Sequence, residues 1–307
     1  MSPLRSLTSV DSRQSASVSF PKPGSPVPEH AAVPPHERVQ QSFGPGRAAL
    51  AAPARIAGGP SIGMTTIPVQ PSKIQAPPLR DETLSRERLL NWLSVKIHNR
   101  IVLVVAEAGY GKTTLLADFS RRTRVRMLWY RLDLGDRDPI VFLHHIVGAV
   151  RVRLPEACAA AASLLADVGP TGPGLHVIVA ALVRGLTELP DDATALVLDD
   201  YHVIEDSPDI RPIIREILTR APERLTMVIA SRRPPVIPIA KLRAQGEVAE
   251  LRTADLRFDE DETERLFRET YSMPLEPGVA SELVRRTEGW AASLQLVQSA
   301  IRGRSSS

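Results

Sequence analysis

Val104-Val105-Ala106-Glu107-Ala108-Gly109-Tyr110-Gly111-Lys112-Thr113-Thr114 combines residue types and a spacing suited to holding phosphate. Gly109 and Gly111 permit a tight turn whose backbone N–H groups face inward. Lys112 is placed to reach β- and γ-phosphates, and the Thr113 hydroxyl is a suitable Mg²⁺ ligand. Ala108, Tyr110 and Thr114 complete the cradle. A helix from Thr113 onward would aim its positive end at the anion. The usual first glycine of such a loop is Ala106 here. An alanine costs little there if that backbone position has negative φ. The alternative is an ordinary glycine-rich turn. The buried-type run Ile101 to Val105 before it and Leu115-Leu116-Ala117-Asp118-Phe119 after it favour phosphate.

A second site follows the same logic. Ala195-Leu196-Val197-Leu198-Asp199-Asp200 is an apolar strand ending in two carboxylates, where ligands bind in open α/β sheets. Asp199 would hold Mg²⁺, directly or through water. Asp200 could orient or deprotonate an attacking water. A third apolar run, Leu225 to Ala230, ends in Ser231-Arg232-Arg233-Pro234-Pro235. Arg232, nearer the strand, is the candidate to approach a γ-phosphate, and Arg233 reads as a surface charge.

The elements that must position these residues alternate in type. Leu84 to Leu93 reads as an amphipathic helix with Ser85 as its cap and Leu89, Leu90 and Leu93 facing inward. Strands follow at 101–106, Met127 to Leu132, 195–200, Leu225 to Ala230 and Glu247 to Leu251. Between them lie the loop helix to about Arg122 and a helix opened by Asp138-Pro139. Further helices lie at about 175–188, 209–220 and Ile239 to Ala244. Gly169 to Gly174 reads as a loop. His144 and His145, with no third ligand in view, read as surface or partly packed residues. Alternation of this kind implies an α/β fold with a doubly wound parallel sheet of about five strands. The acid-bearing strand is not expected beside the loop strand. From about 258 the pattern turns helical: an acidic start at Phe258 to Glu262, then Val279 to Thr287 and Trp290 to Ile301. The domain reading is therefore a Pro/Ser/Ala-rich tail at 1–72, a nucleotide-binding domain at 73–257 and a helical subdomain at 258–307.

Composition narrows the partners. A net charge of +3 is no argument for nucleic acid, and a hydrophobic share of 43% suffices for a core. The single cysteine, Cys158, excludes an intrachain disulfide and a cysteine metal cluster, which fits a reducing cytoplasm. No apolar run approaches the roughly 18 residues of a membrane span, and Met1 to Phe20 lacks the apolar stretch of a signal peptide. Residues 1–72 have no sustained period and read as disordered. Pro21-Lys22-Pro23 and Val33-Pro34-Pro35 there could dock an aromatic groove, but a tail without that role is the plainer expectation.

Over about residues 73–302 the chain resembles the nucleotide-binding module of STAND-class signalling ATPases, in particular the MalT-type (LuxR-family, large ATP-binding) transcriptional activators. The resemblance rests on Lys73 to Pro78, Leu84-Ser85-Arg86, Ala108 to Thr114, and Trp129 to Asp133 with Asp136 and Pro139. It extends through Leu198 to His202, Ser231 to Pro235 and Thr287 to Ala292. It implies a switch: ADP at rest, ATP exchange helped by an inducer, self-association, and slow hydrolysis that resets it. By the same resemblance Pro77 and Arg86 would line the adenine pocket and Gly289-Trp290 would pack near base and sugar. Family members continue into a winged helix, a repeat-rich sensor and a helix-turn-helix DNA reader. This sequence ends at Ser307. The expectation is no direct DNA binding by this chain alone, and action through self-association or association with full-length relatives. A free-standing AAA-type ATPase that remodels a protein or nucleic-acid partner stays open as the second reading. A fragment without activity is the third.

Overall fold

Three uninterrupted apolar runs set the architecture, because a strand without a polar face must be covered on both sides. The computed structural model describes residues 68–169 and 172–305. Residues 1–67 of the expected tail, with both Pro-rich pieces, lie outside them.

In chain order, α1 (Glu87–Lys96) leads to β1 (Ile101–Val105) and α2 (Lys112–Arg122). β2 (Arg126–Arg131) is followed by α3 (Pro139–Arg153), α4 (Ala159–Ala166) and α5 (Leu175–Thr187). β3 (Thr194–Asp199), α6 (Ile210–Arg220), β4 (Leu225–Ser231), α7 (Ala240–Ala244) and β5 (Val248–Arg252) complete the alternating part. Then come α8 (Thr253–Leu256), α9 (Glu260–Arg265), α10 (Val279–Thr287) and α11 (Ala291–Ser305). A π-helical turn, Leu266–Thr270, extends α9.

The five strands form one sheet in the order β2-β3-β4-β1-β5, and every pair is parallel. β1, β3 and β4 are buried along their whole length. Their side chains alternate between two cores. Ile101, Leu103, Leu196 and Ile229 pack under α3, α5 and α6. Val102, Val104, Val197 and Val228 pack under α1 and α2. As expected, β3 does not pair with β1; β4 lies between them. The register sets Val105 beside Ser231 and Leu198 beside Ile229, so β1, β3 and β4 end at one edge of the sheet.

A strap ahead of α1 crosses the β2 edge. Arg131 N–H donates to Lys73 O at 2.7 Å, and Lys73 Nζ sits 2.8 Å from both the Asp133 and Asp136 carboxylates. Burial lowers the Lys73 pKa, but the hydrogen bonds and charges of those two carboxylates outweigh it and hold the ammonium above its usual value. Packing begins before the expected boundary at Lys73, since Val69 lies over Gly148.

Two expectations change, and one helix is added. Ser85 does not cap α1: the N-cap is Arg86, without a side-chain bond. The Ser85 hydroxyl instead donates to Asp118 Oδ2 at 2.9 Å and accepts from Arg122, a charged pair that outcompetes a free helix end. His145 is fully buried, stacked on Tyr130 at 5.3 Å with Nδ1 2.9 Å from Val141 O. α4 was not anticipated; its alanine-rich turns favour helix intrinsically, but no capping side chain announces its start.

The helical segment has its own small core of Leu84, Phe258, Leu266, Phe267, Tyr271 and Leu294. Arg86 ties it to α1. The guanidinium bonds Glu262 Oε2 at 2.6 Å, donates to Leu256 O and Arg257 O at 2.7 Å, and lies 4.1 Å over the Phe258 ring. Both side chains of the ion pair are buried. Arg86→Ala leaves the Glu262 charge buried without its principal partner, so a loss of about 3–5 kcal/mol is expected in urea denaturation. A loss below about 1 kcal/mol would contradict the assignment of Arg86 as the tie.

Candidate nucleotide site

The loop after β1 turns on two glycines in the left-handed region, Gly109 at φ 81° and Gly111 at φ 79°. Gly111 caps α2, whose first N–H groups have no intrahelical acceptor. At Gly109 a side chain is excluded sterically as well, since a Cβ there would lie 2.6 Å from Trp290 Nε1.

Lys112 folds back along the loop. Its Nζ donates to Ala106 O at 2.6 Å and Glu107 O at 2.9 Å. Burial lowers its pKa, against the raising influence of Asp199 and Asp200. The N–H groups of Gly109, Tyr110, Gly111 and Lys112 have no acceptor among the described residues. The loop therefore carries unpaired donors next to a lysine bonded within it, the groups a polyphosphate requires.

The acid-bearing strand meets the loop directly. Thr113 Oγ1 donates to the Asp199 carboxylate, 2.9 Å from Oδ2 and 3.1 Å from Oδ1. Asp199 is fully buried and also accepts from Asp200 N–H at 3.1 Å. Desolvation first, and the Asp200 charge second, push its pKa up to about 6. Asp200 adopts the left-handed conformation at φ 59°, a strained setting outside glycine, with its carboxylate 3.4 Å from Arg131 Nε. Arg232 is exposed at the end of β4 and close enough for its charge to lower the pKa of Lys112. Arg233 is more than a surface charge, because its Nε bonds the buried Glu205 carboxylate. His202 follows the acid pair. Its Nδ1 is buried without a partner among the described residues, and burial first, then Arg232, lowers its pKa.

A cavity of about 380 Å³ opens beside the loop, within the usual size range of small-ligand sites. Pro77, Arg86, Gly109, Tyr110, Gly111, Thr113 and Thr114 line it, as do Phe258 and Tyr271 from the helical segment. Lys112, Asp199, Asp200 and Arg232 do not line it; they meet at the strand ends. Arg86 contributes to the wall while its guanidinium is committed to Glu262. Ala108 and Trp290 also stay outside the cavity, joined by a bond from Trp290 Nε1 to Ala108 O at 3.0 Å.

Thr113 and Asp199 fit a magnesium site of the kind completed by nucleotide phosphates and water: one hydroxyl and one carboxylate, 2.9 Å apart. No cluster of three or more His, Cys, Asp or Glu that would cage a metal occurs among the described residues.

Loop, acids and strand order together define a P-loop NTPase. No protein-family model matches the chain. Its relatives are more specific: over about three quarters of its length the chain is similar to part of the MalT-type transcriptional regulators. It is 33% identical over 232 residues to the HTH-type transcriptional regulator MalT of Cronobacter sakazakii, covering 74% of this chain and 25% of that protein. The MalT of Yersinia enterocolitica is 35% identical over 227 residues, again covering 74% and 25%. The chain thus spans about a quarter of the length of these curated relatives. Solved structures superpose loosely. The Aeropyrum pernix Orc1 protein in complex with DNA gives a TM-score of 0.45 at 19% identity, covering 71% of this chain and 59% of that one. A Walker-type ATPase of Pyrococcus abyssi gives 0.45 at 13% identity, covering 70% and 66%. No helix among the described residues is long and apolar enough to cross a membrane.

The Asp199 environment makes a pH-dependent prediction. A carboxyl raised from 3.8 to about 6 on folding opposes stability when ionised, fully above about pH 6 and less as pH falls towards 4. Asp199→Asn removes that opposition. The nucleotide-free variant is expected to gain on the order of 2 kcal/mol near pH 8, and the gain should shrink towards pH 4. Denaturation of both proteins across this range checks it. A gain independent of pH would contradict the burial argument.

Proposed function

We propose that the chain is an ATP/ADP-binding signalling module with slow ATP hydrolysis, working as the regulatory ATPase of a MalT-type activator. The observation that carries the reading is the junction of loop and acid strand, where Thr113 bonds the buried Asp199 next to a loop whose N–H groups have no acceptor among the described residues. Gly109 to Lys112 would bind the phosphates, with Ala108, Tyr110 and Thr114 shaping the cradle. Thr113 and Asp199 would hold Mg²⁺, which supplies charge neutralisation at the phosphates. Lys112 would exchange its loop carbonyls for phosphate oxygens. Pro77 and the cavity wall near Arg86 would take the base, with adenine inferred from the family. Asp200 would orient or deprotonate the attacking water, and Arg232 would sense the γ-phosphate.

Regulation through a nucleotide-dependent change in self-association, or in association with full-length relatives, belongs to the same proposal. So do a cytoplasmic location and the lack of direct DNA binding by this chain alone. A steadily cycling AAA-type ATPase is the competing reading. Turnover discriminates the two: the switch retains its nucleotide over many minutes, whereas a remodelling ATPase exchanges it continuously.

Two variants test the roles. Lys112→Ala should weaken ATP and ADP binding by roughly 100-fold in titration calorimetry. Asp200→Asn should keep ATP affinity within a few-fold while slowing single-turnover hydrolysis by about 100-fold or more. Equal nucleotide affinity in the wild type and Lys112→Ala would end the site assignment.

A further inference from the structure

The four carbonyls between β1 and the turn are held in two different ways. Those of Ala106 and Glu107 accept from Lys112, inside the loop. Those of Ala108 and Gly109 accept from the helical segment, nearly two hundred residues away in sequence. Trp290 Nε1 donates to Ala108 O at 3.0 Å, and Ala292 N–H donates to Gly109 O at 3.1 Å.

A peptide group is planar, and its C=O and N–H point in opposite directions. Drawing the Ala108 carbonyl towards Trp290 therefore turns the Gly109 N–H away from it. The Gly109 carbonyl, drawn towards Ala292, does the same for the Tyr110 N–H. These are two of the amides left without an acceptor among the described residues. The indole also fills the space in which a Gly109 Cβ would stand, and the Tyr110 ring lies beside it with centroids 6.4 Å apart. The loop is thus clamped from outside the sheet at the two peptides whose donors a phosphate would use.

We infer that Trp290 is a positioning residue for phosphate. It holds the Ala108–Gly109 peptide with its donor towards the anion, so the seating of α11 against the loop sets the affinity for the β-phosphate. The inference rests on the nucleotide-site reading above. It differs from base or sugar packing by Trp290, because the indole bonds the loop and does not line the cavity. Linkage makes the coupling reciprocal: phosphate binding should steady the junction of α10 and α11.

The test compares ADP with AMP, which lacks the β-phosphate, by displacement of a fluorescent ADP analogue from the full chain. Trp290→Phe keeps an aromatic ring and removes the N–H. It should weaken ADP about fivefold, the effect of one lost hydrogen bond, and leave AMP within about twofold. Trp290→Ala should lose more ADP affinity than Trp290→Phe, again selectively. Unchanged ADP affinity in a Trp290→Phe protein that melts like the wild type overturns the inference. Equal losses for ADP and AMP also overturn it, since they would mark general packing. A wild-type protein that binds neither nucleotide overturns the nucleotide-site reading itself, and this inference with it.

Discussion

Parallel burial of β1, β4 and β3 is the constraint on which the site depends. Each strand is apolar on both faces, so each must sit inside the sheet with helices above and below. Once they lie side by side in one direction, their carboxyl ends share an edge. The phosphate loop, the Asp199–Asp200 pair and Arg232 then converge although they come from three separate stretches of chain. The bond from Thr113 to Asp199 is the local consequence, joining the first turn of α2 to the end of a strand two places away in the sheet.

That convergence stores electrostatic tension. Asp199 is buried as an acid beside a second acid, Lys112 is desolvated, and Asp200 occupies a left-handed backbone conformation. Each feature opposes folding slightly, and together they prepare an environment of donors and charge that a hydrated anion and cation would relieve. The two hydrophobic cores that flank the sheet provide the offsetting burial. The helical segment contributes differently. It is small, it is tied to α1 through Arg86 and Glu262, and it touches the loop through Trp290 and Ala292.

The strands and the phosphate loop were legible in the sequence because their signals are local. A continuous β-branched run, a Gly-Tyr-Gly-Lys-Thr turn and a terminal acid pair each state their structure within a few residues. The Asp138 cap on α3 was legible for the same reason, and its side chain accepts from Ile140 N–H and Val141 N–H as expected. What was not legible depends on distant partners. Ser85 has the composition of a helix cap, but Asp118 and Arg122 claim its hydroxyl. His145 carries no mark of burial until Tyr130 and Val141 surround it. Arg86 lines the cavity, but nothing in the sequence shows that its guanidinium is directed to Glu262, 176 residues further along the chain. The resemblance put Gly289-Trp290 near base and sugar, and nothing in it announced the hydrogen bond from the indole to the loop.

The central claim is that the amides of the β1–α2 loop bind a nucleotide polyphosphate. Hydrogen exchange of the full chain, with and without Mg²⁺ and ADP, examines those N–H groups themselves. The account predicts strong protection concentrated at residues 107–114, with a weaker effect in the strap around Pro77 and at the start of α11. Exchange at residues 107–114 that is unchanged at saturating ADP would contradict it, as would protection confined to another face of the sheet.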